Sequence, residues 1–443
     1  MMTHGAINRA SGEVFASALT PGLHDILQAL AALRPQTEVP YVTVSVDWTV
    51  DGWAPGKTFG AEAKASQRRA GGNAQDHGTT RRMGRNEIAH LLKRLVDEHG
   101  PRGRLFDAFL ASSELIMHFL DHELDPSAHG AFVVAHAPSG LLETIALGMP
   151  IPTALAVGPT PALSKVARQI EDHPPYAVLL GDQQQANLTV VTRSRPAGSL
   201  SLTGSRWPKH QKQGGAQHRY QERAENRIET FVKDVAAVAE REVQALGIGM
   251  LVVAGDEVFT SAMQAGITPH LRERVAATIA LDIRSSESEI TAATMPIIER
   301  AERAQELADA QAVHGAIASD NRGAGGAIAV LQALDSGQVR KLVMNEDVAL
   351  AGWADFTLGL YGVGPMPEEH PAGGDVAHLV AIDLDEELIR QALQTGAAIE
   401  IIDIEVAVDG AHVPKAGEAM PRSEAATILD QFGGVAALLR FSR

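Results

Sequence analysis

The chain contains no cysteine. That absence excludes disulfides, thiolate zinc sites and the cysteine-stapled scaffolds of small secreted proteins. Aromatic residues are scarce, 4 % of the 443 residues, although apolar residues of all kinds reach 45 %. The cores must therefore be packed from Ala, Val, Leu and Ile, of which there is enough. No uninterrupted apolar run approaches the ~18 residues of a membrane span, and the N-terminal stretch 1–18 holds no signal-peptide core. A soluble, cytoplasmic protein without a membrane partner is the expectation. Positive charge is also in deficit: 38 Lys and Arg face 54 Asp and Glu, a formal net charge of -16. An acidic body repels a phosphate backbone, so binding to nucleic acid requires cations concentrated in one place.

The length predicts about three domains at ~150 residues each, and the pattern divides the chain into 1–173, 174–284 and 285–443. In the first block, Tyr41 to Trp48 alternates β-branched and polar residues as a strand does. Apolar spacing predicts helices over 86–99, 104–124 and 161–170. The stretches 132–136 and 141–147 read as strands around the turn Ala137-Pro138-Ser139-Gly140, and the glycine-rich stretch 56–82 as a flexible or hairpin region. In the second block, 176–180 and 188–191 read as paired strands. The stretch 250–254 reads as a buried strand before a helix over 258–265, and 279–283 as a last strand. Between them Ile228, Phe231, Val232, Val235, Val238, Val243 and Leu246 fall on one face of a long helix that Gly247 and Gly249 stop. The stretch 193–217 shows no period and reads as a long loop, expected to be poorly ordered in the free chain. In the third block, 287–312, 327–334 and 386–394 read as helices, and 339–344, 379–384 and 399–406 as strands. A Gly/Pro-rich interruption, 352–374, carries Trp353, Phe356 and Tyr361 as a small apolar hook. Strands alternating with helices in every block give the class α/β.

The cations do concentrate. Arg206, Lys209, Lys212, Arg219 and Arg223 stand against the single acid Glu222, a local +4, with His210 and His218 among them and Arg227 one turn further on. Such a reversal suits a phosphate-rich partner, although a solvated basic loop against the acidic body would carry the same composition. Gly214 and Gly215 lie inside the patch. Two residues without Cβ let one backbone approach another closely. Gln217 follows, and its neutral amide offers both a donor and an acceptor, able to position water without adding charge. Cations in the first turns of the following helix oppose its dipole, a cost that a nearby phosphate would relieve.

The run Pro208-Lys209-His210-Gln211-Lys212-Gln213-Gly214-Gly215-Ala216-Gln217-His218-Arg219-Tyr220-Gln221-Glu222-Arg223 resembles the Gly-Gly-Gln loop and helix of the archaeal and eukaryotic class-one release factors, in the form carried by their bacterial relatives. The strand pair 176–191 resembles the opening of that family's middle domain, and 249–259 the strand and helix after its long helix. Residues 325–343 resemble the start of its C-terminal domain, shared with Pelota. The resemblance implies a three-domain release-factor and Pelota-like protein. It would have an N-terminal recognition domain, a middle domain with a mixed sheet and long helix, and an α/β sandwich-like C-terminal domain. It implies that Gly214, Gly215 and Gln217 serve hydrolysis of the peptidyl-tRNA ester. Arg206, Lys209, His210, Lys212, His218, Arg219, Arg223 and Arg227 would meet RNA. The ribosome, through rRNA and peptidyl-tRNA, is then the partner, with a translational GTPase as a further candidate, and no cofactor or metal is implied. Ala216 is an insertion between the glycines and the glutamine. Because water positioning is sensitive to displacements of ~1 Å, the insertion bears on catalysis more than on ribosome binding.

Three functions therefore stay open: an ester-hydrolysing release or rescue factor, a non-catalytic factor occupying the A site of stalled or hibernating ribosomes, and a tRNA-cleaving nuclease. The first needs Gln217, the second only charge and loop shape, the third ionisable groups such as His210 and His218. Other features favour structural roles. His118 and His122 have metal-ligand spacing but no evident third ligand, Asp256-Glu257 suits a helix start, and the glycine-rich run 320–326 lacks the Lys-Ser/Thr of a P-loop.

Overall fold

The computed structural model describes residues 23–49, 79–126, 128–147, 150–171, 175–192, 195–203, 217–319, 321–404 and 421–441. Two compact units emerge, one centred on His173–Ala301 and one assembled from Gly22–Gly52, Ala74–Asp172 and Glu302–Arg443. The proposed middle domain, 174–284, lies in the first. The proposed N-terminal and C-terminal domains contribute to the second, where they share a core. The elements are mixed α and β throughout.

In the N-terminal part of the composite unit, β1 (Tyr41–Asp47), β2 (Gly130–His136), β3 (Leu141–Leu147) and β4 (Ala154–Gly158) form an antiparallel sheet in the order β3-β2-β1-β4. The β2–β3 turn closes on Gly140 at φ 71°, a left-handed conformation suited to glycine. Alternation sorts side chains by face. Val42, Val44, Val46 and Val133 meet Ile88, Leu92, Phe109 and Ile116 of the helices Thr79–Glu98 and Arg104–His118. Tyr41, Phe132 and Val134 face the other way, into a core shared with Leu342, Leu388 and Ile399. Sequence patterning missed β4, whose Ala-rich segment has little alternation to show. Most of the stretch 56–82 lies outside the described residues.

The middle unit is a five-stranded sheet of β5 (Tyr176–Gly181), β6 (Gln185–Thr192), β7 (Arg195–Thr203), β8 (Met250–Gly255) and β9 (Val275–Ala280), ordered β7-β6-β5-β8-β9. β5, β6 and β7 are antiparallel neighbours, whereas β5, β8 and β9 run parallel. Helices bury both faces. Ala177, Leu179, Leu188 and Leu251 pack with Val232, Val235, Ala239 and Val243 of the helix Gln217–Ala245, and with Phe259 and Met263 of the helix Glu257–Gly266. Tyr176, Val178, Leu180 and Val252 pack with Ile290 and Ile298 at the start of the helix Glu287–Ala318. Asp256 caps the helix Glu257–Gly266, accepting the Phe259 N–H at 2.7 Å, as its position at a helix start suggested.

Two expectations fail here. The stretch 193–217 is not loop throughout, because 195–203 forms β7. As an edge strand it tolerates Pro196, and a register shift between Val190 and Val191 absorbs the irregular start. The alternating Ser199-Leu200-Ser201-Leu202 was the signal for it. The last strand lies at Val275–Ala280 rather than at 279–283. Its β-branched residues are few, so Ile279 and Ile283 drew the pattern too far along the chain.

The C-terminal part begins with β10 (Gly323–Gly325) and β11 (Val339–Asn345). A small sheet of β12 (Ala351–Asp355), β13 (Leu360–Val363) and β14 (Val380–Asp383) follows in the order β13-β12-β14, and then β15 (Ala398–Ile402) and β16 (Val435–Leu439). The larger sheet is ordered β10-β16-β11-β15, so the last strand of the chain lies at its centre. One face joins the shared core, with the helices Ala327–Asp335 and Leu384–Gln394. The other packs Val343, Ala436 and Leu438 on Ala310 and Val313 and on the helix Glu424–Asp430. The interruption 352–374 is thus not wholly irregular. It holds most of β12 and all of β13, read past because Gly352 and Gly362 break their apolar runs.

Polar clasps bind the two parts of the composite unit. Glu386 accepts the N–H groups of Leu163 and Ser164 at 2.7 and 2.9 Å, closing the start of the helix Ser164–Glu171. Burial pushes its carboxyl up, against these hydrogen bonds. Arg390, itself paired with Glu387 at 2.6 Å, donates to the Ala31 carbonyl at 3.1 Å. Lys341 meets Asp309 and Glu400 at 2.8 and 2.7 Å beneath the larger sheet.

Two glycines let the helix Glu257–Gly266 lie against the middle sheet. A Cβ on Gly181 would overlap the Phe259 ring, and one on Gly255 would overlap the Gly181 carbonyl oxygen. Gly181→Ala should therefore destabilise the middle unit by ~1–3 kcal/mol, the usual cost of overpacking. Urea unfolding read by circular dichroism checks this, and an unchanged midpoint would refute it.

In the small sheet, buried Asp355 is held down to about 2 by hydrogen bonding from Thr357, and further by His370 and the Leu358 N–H. A carboxyl depressed on folding stabilises above its unfolded pKa of ~3.9 and loses that contribution as pH falls toward its folded one. Local protection of β12–β14 should thus fall between about pH 4 and pH 2. Asp355→Asn should remove this dependence, which hydrogen exchange across the acid range would reveal.

Candidate nucleic-acid interface

The basic segment is bounded by elements whose placement follows from the packing of the middle unit. β7 ends at Thr203 on the sheet edge, and the helix Gln217–Ala245 begins at Gln217. Arg206, Lys209, His210, Lys212, Gly214 and Gly215 lie between them, outside the described residues. Gln217, His218, Arg219, Arg223 and Arg227 belong to the helix backbone.

That helix is long, 29 residues, and its C-terminal part is firmly seated. Val232, Val235, Ala236, Ala239 and Val243 are all at most 2 % exposed. At 100° per residue, Arg219, Arg223 and Arg227 share a stripe on the face roughly opposite that buried row. The first turn contains no acid to offset the positive end of the helix dipole. The backbone thus gathers part of the predicted cationic set along one face. It also sets Gln217 at the helix start rather than in the loop. The expectation of disorder across 193–217 falls, apart from β7 and Gln217, on residues outside those described.

The competing features resolve into structural contacts. Asp121 pairs with Arg85 at 2.6 Å, which holds its carboxyl below the usual range. His118 meets Glu123 at 3.1 Å, and its ring packs against that of His122 at 5.0 Å. Among the described residues no three His, Asp or Glu side chains gather as a metal site. Among the same residues no helix is long and apolar enough to cross a membrane. The run 320–326 contains β10, paired with β16, and Gly326 at φ 83° precedes the helix Ala327–Asp335.

One cavity lay beyond sequence reasoning, since distant segments build it. It encloses about 400 Å³ past the carboxyl end of β11, lined by Ser164, Arg168, Asn345, Glu346, Asp385 and Ile389 among others. Glu346 and Asp403 both pair with Arg168, so its cation is already neutralised. Burial pushes the Asp385 carboxyl up, although it accepts the Leu350 N–H at 3.0 Å.

Residues 161–299 match the family model for Bacterial archaeo-eukaryotic release factor family 10. No curated protein matches the chain. Among solved structures, the chain aligns with an archaeal translation termination factor at 14 % identity, over 94 % of this chain and 96 % of that one, with a TM-score of 0.22. It aligns with Archaeoglobus fulgidus Pelota at 16 % identity, over 72 % of this chain and 81 % of that one, with a TM-score of 0.31. S. cerevisiae Dom34 aligns at 12 % identity, over 71 % and 80 %, with a TM-score of 0.36. These superpositions are weak, and the family match is confined to the middle of the chain. That match spans the five strands of the middle sheet, the Gly214-Gly215-Ala216-Gln217 segment and the long helix. Through residues 161–299 this chain is similar to the bacterial archaeo-eukaryotic release factors of family 10.

Proposed function

We propose that the protein is a ribosome-associated release or rescue factor whose segment 206–227 reaches peptidyl-tRNA and promotes hydrolysis of its ester. The observation that carries this reading is the Gly214-Gly215-Ala216-Gln217 sequence, inside the family match and directly before a helix with an arginine stripe. The chemistry asked of the protein is modest. Water attacks the ester carbonyl carbon, the bond to the tRNA 3′ oxygen breaks, and that oxygen leaves with a proton. A neutral amide such as that of Gln217 can hold the water by accepting from it, or donate to the developing oxyanion. Gly214 and Gly215 would let the backbone approach the ester closely. Arg206, Lys209, His210, Lys212, His218, Arg219, Arg223 and Arg227 would neutralise rRNA and tRNA phosphates. A translational GTPase that delivers the protein is a compatible partner, and the site of action would be the cytoplasm. The proposed division of labour gives 1–173 to recognition, 174–284 to hydrolysis and 285–443 to partner binding.

Ala216 favours a second reading, in which the protein occupies the A site of stalled or hibernating ribosomes without hydrolysis. The two readings separate on one residue. Ribosome co-sedimentation should weaken steeply with salt, because each phosphate contact releases counterions. Gln217→Ala should lower single-turnover peptidyl-tRNA hydrolysis by ~10²-fold, as loss of a positioned polar group does, and leave co-sedimentation unchanged. Charge reversal at Lys209, Lys212 and Arg219 should weaken binding first. Equal binding by wild type and Gln217→Ala without hydrolysis in either selects the A-site reading. Hydrolysis indifferent to Gln217 moves attention to His210 and His218, and to tRNA cleavage. No binding at low salt refutes both readings.

A further inference from the structure

The small sheet β13-β12-β14 has no part in the function proposed for the middle unit. Its charge is one-sided. No Lys or Arg stands between Lys341 and Arg390, whereas Glu368, Glu369, Asp375 and Asp383 in that stretch are exposed. Apolar side chains are exposed there too. Leu358, in the turn between β12 and β13, is 61 % exposed, Met366 48 % and Val376 38 %. These are not the aromatic residues that drew notice in the sequence. Trp353 packs over Gly362, and Tyr361 meets Phe356 edge-on and accepts from Arg390 at 3.2 Å, so this trio lies largely within the domain.

Strand register brings Leu358 and Val376 to one end of the sheet, whereas Asp383 stands opposite Ala351 at the other end, where β13 also leaves towards Met366. Ala354 of β12 stands opposite Val380 of β14, so the segment 376–379 lies beside the turn 356–359. His370 bonds to Asp355 at 3.1 Å, which returns the loop carrying Glu368 and Glu369 to the same end. The end is also held in place. Asp355 accepts the N–H groups of Thr357 and Leu358 at 2.8 and 3.3 Å, while the Ala372 N–H donates to His370 Nδ1 at 3.2 Å. Asp375 accepts the Ala377 N–H at 2.9 Å. A buried polar clasp thus fixes a turn whose leucine is largely exposed. An apolar tip that is already ordered loses little entropy on binding.

We propose that this end of the small sheet is a docking surface for a basic amphipathic protein segment, one in which Lys or Arg residues flank apolar side chains. The acids Glu368, Glu369 and Asp375 reject phosphate and attract ammonium or guanidinium groups, while Leu358 and Val376 supply the dry centre that a stable contact needs. The chain would then meet two kinds of partner surface through oppositely charged regions.

The test uses the full chain and a fluorescein-labelled synthetic peptide alternating Lys or Arg with Leu, followed by anisotropy. Saturable binding that weakens with salt is expected. Leu358→Ser combined with Val376→Ser should weaken it about tenfold or more, as loss of a central apolar contact does. Glu368→Gln, Glu369→Gln and Asp375→Asn together should weaken it at low salt and flatten its salt dependence. A peptide with every Leu replaced by Ser should bind about tenfold more weakly. Thermal unfolding checks that the variants, all at exposed positions, remain folded. Absence of binding, indifference to both sets of substitutions, or equal binding of the leucine-free peptide would each overturn the proposal. So would loss of binding to an RNA oligonucleotide in the same variants, because it would make this end an RNA surface. No ribosome enters the measurement, so its failure leaves the function proposed for the middle unit standing, and the reverse holds.

Discussion

The contact on which the middle unit depends is the one between a row of small aliphatic side chains and a sheet. Val232, Val235, Ala236, Ala239 and Val243 lie against Ala177, Leu179, Leu188 and Leu251. Few aromatic residues take part, so close approach replaces bulk. Gly181 and Gly255 carry the same economy to the next helix, where even a methyl group would collide with Phe259 or a carbonyl. Burial of this row fixes the direction and rotation of the long helix. Its rotation decides that Arg219, Arg223 and Arg227 fall on the face away from the sheet.

Strongly periodic elements were legible in the sequence. The strands at Tyr41–Asp47, Tyr176–Gly181 and Met250–Gly255 announce themselves by β-branched runs, and the helices at Arg104–His118 and Leu384–Gln394 by apolar spacing. What escaped were elements defined by their partners. β4 and β7 are edge strands whose own residues are small or polar, and their identity comes from pairing with β1 and β6. β12 and β13 are broken by glycines that make room for Leu384 and Trp353, a reason that lies in the neighbours. The joining of the N-terminal and C-terminal parts into one unit was likewise illegible. It depends on Glu386 closing a helix that starts more than two hundred residues earlier, and on Arg390 reaching Ala31. The candidate site was legible as a motif, since glycines, a glutamine and cations need no partner to be recognised. The position of Gln217 at the start of the helix needed the structure.

Charge divides the molecule more sharply than its net value suggests. The run 206–223 carries nearly unrelieved positive charge, and 342–389 carries no Lys or Arg at all. Within the composite unit several cations are paired. Arg168, Lys341, Arg390 and Arg422 each face carboxylates. In the sequence the excess of positive charge falls in the segment 206–223, and an acidic remainder disfavours nonspecific adhesion to RNA. In the function proposed above, this division of charge would let a protein of net charge -16 meet nucleic acid through one segment.

The insertion of Ala216 gains its meaning from this geometry. A glutamine in a glycine loop takes its position from the loop, and one extra residue there changes its reach without setting its direction. A glutamine that opens a helix is different, because each residue in a helix advances 1.5 Å and turns 100° about the axis. Its Cα is then tied to the same rigid body as the buried valines. In the function proposed above, Gly214 and Gly215 would supply close approach, and the start of the helix would fix where the Gln217 backbone lies. Activity in such a protein should respond to the seating of the helix as well as to the loop, whereas occupancy of a phosphate-lined site should respond mainly to the arginine stripe. On the proposed reading, placing these two sensitivities along a single helix would let binding and hydrolysis be gained or lost independently.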